Sequence, residues 1–172
     1  MIETRLLERG DVEAFSRFIF EAWRQAGPGA LGWTGASEEQ IQALASTPFV
    51  ESLLEREGTR LMVAVDGENV VGFSSNKRVD NSLVELSGIV VLERLIGGGI
   101  GSRLLDAALK VATLDGYVKM VVRAEVWNER AIGFYERNGF MPVRQETMDV
   151  NESKVRVLVL ERILNQIGRP PK

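Results

Sequence analysis

Between an apolar stretch ending at Val91 and an amphipathic stretch starting at Ile100 lies Gly97-Gly98-Gly99-Ile100-Gly101, four glycines in five positions. A strand, a glycine-rich loop and a helix in that order gather several backbone N–H groups and the positive end of a helix at one point. That arrangement suits phosphate oxygens. More than one kind of site shares the outline. A Walker-type loop needs Gly-Lys-Ser/Thr, yet Gly101 is followed by Ser102 and Arg103, so no lysine is placed to reach a terminal phosphate. A dinucleotide fingerprint begun at Gly97 or Gly99 needs a third Gly or Ala where the chain has Ser102 or Leu104. Beyond Val126 the sequence also turns into an antiparallel hairpin instead of a second parallel strand and helix. A glycine turn with no ligand is the plain alternative.

The groups able to attack or to carry protons are few. With neither Cys nor His in the chain, thiol nucleophiles, His bases, Ser-His-Asp triads and Cys/His zinc sites are excluded. Carboxylates, Tyr, Lys and water remain, and no metal is expected. The 172 residues are 45% hydrophobic and 26% charged, the composition of a globular protein able to bury roughly 70% of its unfolded surface. A formal charge of −3 offers no basic field for nucleic acid and mildly favours cationic acceptors. Met1 to Arg5 lacks the apolar core of a signal peptide, and no stretch nears the roughly 18 apolar residues of a membrane span. The expectation is a cytoplasmic protein without nucleic-acid or membrane partners, free to form a homodimer. Residues 1–164 read as one domain and 165–172 as a tail.

The elements that must position the loop follow from periodicity. Ile2 to Leu7 reads as a strand, and Asp11 is placed to cap a helix carrying Val12, Phe15, Phe18, Ile19 and Ala22 on one face. Gly27 to Thr34 is irregular. Ser37-Glu38-Glu39-Gln40 restarts a helix with a capping box, and a further helical run extends from about Thr47-Pro48 to Glu57. Leu61 to Val65 and Val70 to Phe73 form a hairpin about Asp66-Gly67-Glu68. Val84 to Val91 is the next strand, its apolar end Ile89-Val90-Val91 suggesting burial on both faces, with Gly88 marking a bulge or a close approach. After the loop, Ile100, Leu104, Leu105, Ala108, Val111 and Ala112 form a helix stripe. A strand from Val118 to Val126, a helix from Asn128 to about Asn138 and two strands near Met141 to Val150 and Val155 to Leu160 complete the order β, α, α, β, β, β, α, β, α, β, β. This is a mixed α/β fold, a mostly antiparallel sheet of six to seven strands flanked by helices.

Read together, the loop and the segment Asn128 to Phe140 resemble the GCN5-related N-acetyltransferase family. Val91 ending a strand, followed by Gly99-Ile100-Gly101-Ser102-Arg103-Leu104-Leu105, is similar to that family's Gln/Arg-x-x-Gly-x-Gly/Ala motif. Asn128, Ala131, Tyr135, Gly139 and Phe140 are similar to its Asn-x-x-Ala-x-x-x-Tyr-x-x-x-Gly-Phe motif. The resemblance covers roughly Leu61 to Leu160. It implies an acyl-CoA N-acyltransferase-like fold and direct acetyl transfer from acetyl-CoA to a primary amine of a small molecule, polyamine or protein. A catalytically weak or inactive acetyl-CoA-binding regulatory module is the alternative, motivated by one departure. The family's Gln/Arg position falls on Ile96, and a position often basic falls on Gly98, leaving backbone N–H groups and Arg94 or Arg103 to meet the pyrophosphate.

The resemblance also implies residue roles. Gly97, Gly98, Gly99, Ile100, Gly101 and Ser102 hold phosphates; Ile89, Val90 and Val91 offer backbone groups to the pantetheine arm, or simply form a core strand. Tyr135 faces the CoA sulfur and gives it a proton, against a plain reading as a core Tyr beside Phe134 and Phe140. Asn128 meets the cofactor or caps its helix. Glu85, on the strand beside the thioester, is the candidate base, with an exposed strand Glu as its plain reading and Glu125 in reserve. Phe20, Trp23, Trp33 and Phe49 are candidates for the acceptor wall, core packing being the simpler fate of the first two.

Overall fold

The computed structural model describes residues 1–26, 37–150 and 152–164. Trp33 and the expected tail over 165–172 lie outside the described residues. The strands are β1 (Ile2–Leu6), β2 (Thr59–Asp66), β3 (Asn69–Arg78), β4 (Leu83–Val91), β5 (Lys119–Glu125), β6 (Met141–Val150) and β7 (Ser153–Ile163). The helices are α1 (Val12–Ala26), α2 (Glu38–Leu44), α3 (Thr47–Glu55), α4 (Ile100–Leu114) and α5 (Glu129–Arg137). One sheet runs in the order β1-β2-β3-β4-β5-β7-β6. Its neighbours are antiparallel except β4 and β5, which pair in parallel. This is the mixed, mostly antiparallel sheet the sequence implied. None of the described helices is long and apolar enough to cross a membrane.

The two faces of the sheet are covered differently. On one, the Ser74 hydroxyl donates to the Leu104 carbonyl at 3.4 Å and the Asn76 amide to the Ala108 carbonyl at 2.8 Å, tying β3 to α4. A Cβ on Gly72 would stand 3.0 Å from Leu104 and 3.0 Å from the Val90 carbonyl oxygen, so this seat requires glycine. Helix α5 shares that side, its Phe134 ring 3.9 Å from where a Cβ of Gly101 would be. On the opposite face Phe15 and Phe18 of α1 meet Phe73 of β3 edge-on, with ring centroids 5.2 Å and 5.9 Å apart. Toward β6, the fully buried Val159 of β7 stands in register between Arg123 and Arg144. Both guanidiniums bond Glu146, at 3.1 Å and 2.8 Å, and this ion-paired strip covers the valine.

Three expectations change. All three helical runs read before β2 are present, one more than the element order counted, because α2 stops at Leu44 and Pro48, in the first turn of α3, starts a new helix after Ser46. The capping box at Ser37 and Gln40 is present. Asp11 does not cap α1. Residues Arg9–Asp11 form a 3-10 turn, and the Asp11 carboxylate takes two bonds from Arg5, at 2.6 Å and 2.9 Å, and one from the Glu8 N–H at 2.9 Å. That Arg5 guanidinium holds the Asp11 carboxyl below the usual carboxylate range. The third change, at the end of β4, creates the site.

Candidate active site

The parallel pairing of β4 with β5 runs only from Leu83 to Leu86, opposite Lys119 to Val122. Its cause lies on the other edge of β4. Gly88 pairs with Ser75 but Leu86 with Asn76, so Ser87 is an extra residue, a bulge. Gly88 carries φ +146°, a backbone few side chains adopt. A bulge bends its strand and sharpens its twist, and from Ser87 to Val91 the β5-facing edge of β4 has no strand partner among the described residues. Ile89, Val90 and Val91 are therefore half-buried, not enclosed on both faces as their apolar run suggested. Where the strands part lies a cleft of about 360 Å³, lined by β4 from Ser87 to Val90, by Arg123, Ala124 and Glu125 of β5, and by Asn128, Ala131 and Tyr135. A wider, shallower depression of about 680 Å³ against Met1–Thr4 and Arg103 shares no residue with it.

The glycine loop stands at the start of α4. Gly97 and Gly99 have φ +92° and +81°, left-handed positions that favour glycine, and a Cβ on either would meet nothing within 4 Å. Gly99 is the N-cap of α4 and has no side chain to occupy the helix start. The Arg103 N–H donates to the Gly99 carbonyl at 3.1 Å. The N–H groups of Ile100, Gly101 and Ser102 come before that bond and so have no intrahelical acceptor. They form a donor cluster that fits an anionic diphosphate. Ile96 and Gly98 are exposed and bring no charge. The two arginines considered as substitutes are engaged elsewhere: Arg94 with Glu21 of α1 at 2.7 Å, and Arg103 with the Ile2 carbonyl at 2.7 Å.

Tyr135 of α5 lines the cleft and is 6% exposed, its ring edge-on to Phe134 and Phe140 at 5.4 Å and 5.6 Å. The core reading holds, and the same residue also forms part of the cleft wall. Burial pushes its phenol up to about 12, so the hydroxyl keeps its proton throughout the neutral range. Asn128 accepts from the Ala131 N–H at 3.1 Å, which makes it the cap of α5, and it also lines the cleft.

The two candidate carboxylates part company. Glu85 stands in the paired stretch, opposite Val121, ion-paired with Arg123 and outside the cleft lining. Glu125, at the last position of β5, lines the cleft together with Gly88, Val90 and Tyr135. Arg123 also lines it, its guanidinium held between Glu85 and Glu146. Sequence reasoning missed Arg123, because its partner Glu146 lies on β6, across β7. Of the acceptor-wall candidates, Phe49 lines the cleft, whereas Phe20 and Trp23 are half-buried and do not. Phe15, Ile19 and Phe73 take their place. The available signal was that Phe73 and Ser75 alternate on β3 and so share a face.

Several known proteins resemble this chain. N-alpha-acetyltransferase 30 of Schizosaccharomyces pombe is 33% identical over 82 residues, which cover 45% of this chain and 55% of that protein. The match thus spans about half the length of this curated relative. Solved structures that share the fold include two acetyltransferases. The PaiA N-acetyltransferase of Thermoplasma acidophilum in complex with coenzyme A has a TM-score of 0.68 at 22% identity, over 95% of this chain and 99% of that one. The ribosomal-protein-S18-alanine N-acetyltransferase of Escherichia coli has a TM-score of 0.71 at 17% identity, over 100% of this chain and 99% of that one. The pattern of the acetyltransferase (GNAT) family matches residues 17–140, which hold the bulged strand, the glycine loop and the Tyr135 helix. With that match over more than half its length, the chain belongs to the acetyltransferase (GNAT) family.

Proposed function

We propose that this protein transfers the acetyl group of acetyl-CoA directly to a primary amine at the parting of β4 and β5. The observation that carries the reading is that the unpaired edge of β4 and the buried Tyr135 line one cleft, with the start of α4 beside it at Gly101, where a Cβ would stand 4.0 Å from the cleft-lining Ile89. Acetyl-CoA supplies an activated acyl thioester. The N–H groups of Ile100, Gly101 and Ser102 bind its diphosphate, without side-chain charge from Ile96 or Gly98. The free edge at Ile89, Val90 and Val91 takes the amides of the pantetheine arm as a sheet edge takes an added strand.

Proton traffic falls to two residues. An amine is protonated at neutral pH and must lose that proton to attack, so a base is required. Glu125 serves as that base, directly or through water, because it lines the cleft and Glu85 does not. Glu85 instead holds Arg123 in place. The Tyr135 hydroxyl donates a hydrogen bond to the departing sulfur. The names of the relatives, an N-alpha-acetyltransferase and an alanine N-acetyltransferase, support an amine as acceptor.

The test incubates the protein with acetyl-CoA and a panel of primary amines and follows CoA thiol release, with melting temperature recorded beside NAD. Acetyl-CoA should raise the melting temperature and NAD should not. Binding without release on any amine overturns the transferase reading in favour of a binding module.

A further inference from the structure

The two faces of the sheet carry different halves of the cleft. The glycine loop, α4 and α5 lie on the face of Gly72, Ser74 and Asn76. Phe73 and Ser75 point to the other face, as do their partners Val90 and Gly88. There the cleft is walled by Phe15 and Ile19 of α1, by Phe49 and Leu53 of α3 and by Phe73, which Phe15 meets edge-on. The faces communicate where β4 and β5 part. An acyl donor held at the α4 start therefore meets an acceptor that comes from the aromatic side.

That side has a definite chemistry. Among the described residues lining the cleft, Glu125 is the one carboxylate, and the guanidinium of Arg123 is bound to Glu85 and Glu146. One ammonium group has a carboxylate to approach. A second, as on a diamine or polyamine, would lose its water against phenyl rings and leucines, and attraction to the ring faces offsets only part of that cost. Resting on the acetyl-transfer reading above, we propose that the acceptor is a primary amine with a single positive charge and an apolar tail. Its ammonium is directed to Glu125 and its tail lies against Phe15, Phe49 and Phe73.

The experiment measures kcat/KM with saturating acetyl-CoA for linear amines from ethylamine to hexylamine, for 1,6-diaminohexane and spermidine, and for the peptide Leu-Gly-Gly. Each methylene buried should raise kcat/KM about fourfold until the wall is filled. The diamine should fall at least tenfold below hexylamine, and Phe49→Ser should lower kcat/KM for hexylamine at least tenfold more than for ethylamine. Leu-Gly-Gly ahead of hexylamine would support the same wall with a peptide N-terminus as the source. A flat series, or a diamine or spermidine equal to or ahead of hexylamine, overturns this inference and leaves acetyl transfer standing. No thiol release with any amine, while acetyl-CoA still raises the melting temperature, overturns acetyl transfer itself.

Discussion

Replacing Tyr135 with Phe removes one oxygen from a well-packed site and leaves the ring between Phe134 and Phe140. The size of the expected effect follows from its acidity. With the phenol pushed up to about 12, handing its proton to a thiolate of ordinary pKa near 8.5 is uphill by about 3.5 units, or roughly 5 kcal/mol. The hydroxyl is therefore a hydrogen-bond donor to the sulfur rather than a full acid. A hydrogen bond to a charged group contributes about 1.5–3 kcal/mol, which corresponds to a loss of roughly 10- to 150-fold in kcat. Acetyl-CoA affinity should stay within about twofold, since the group acts on charge that develops only as the bond breaks. Stability supplies a second readout. Both folded and unfolded forms keep the phenol proton at neutral pH. Above about pH 10 an unfolded tyrosine ionises while the buried one does not, so stability falls as pH rises from about 10 to 12. At about 1.4 kcal/mol per unit the wild type should lose up to about 3 kcal/mol over that window relative to Tyr135→Phe. Thiol-release kinetics and urea melts at about pH 8 and pH 11, the latter reading about half of that loss, measure both. Unchanged kcat would remove Tyr135 from the chemistry, and a loss beyond about a thousandfold would mean full proton transfer and refute the donor argument.

Glu125→Gln should lower kcat by roughly 10²- to 10⁴-fold, the expected size for a general base. Glu85→Gln should reduce it by less than about tenfold; the opposite order, read by the same thiol-release kinetics, would restore Glu85 as the base. Gly99→Ala places a Cβ at φ +81°, costing about 1–2 kcal/mol of stability, and calorimetry should show acetyl-CoA binding weakened beyond what the melt explains. Asp11→Asn should destabilise the protein at pH 7 by about 1–3 kcal/mol, through loss of its charged bonds to Arg5. Because the folded Asp11 carboxyl sits below its ordinary value, that stabilisation is present above the unfolded pKa near 3.9 and lost as pH falls through the folded one. Paired melts of wild type and variant should therefore converge in strong acid.

Local signals were legible where a residue type has one physical use. The glycines at 97 and 99 occupy left-handed positions, Gly88 stands at a bulge, and Ser37 with Gln40 builds a capping box. What stayed hidden depends on pairing across long separations. The last strand, β7, inserts between β5 and β6, and no local pattern announces that; so neither the Arg123–Glu146 pair nor the burial of Val159 beneath it was readable. The sequence put Glu85 forward as the base and held Glu125 in reserve. What separates them is the point where β4 leaves β5, since Glu85 falls before it and Glu125 beyond it. Asp11 has the residue type of a helix cap, but Arg5, six positions earlier on β1, competes for its carboxylate and prevails.

Acetyl transfer at the parted strands is tested most directly by counting both products of one reaction. CoA thiol and N-acetylated hexylamine are quantified in the same sample, with and without the protein. The account predicts that the two appear in equal amounts, only with protein present, and both fall together in Tyr135→Phe. Acetyl-CoA that binds yet yields neither product from any amine would contradict it.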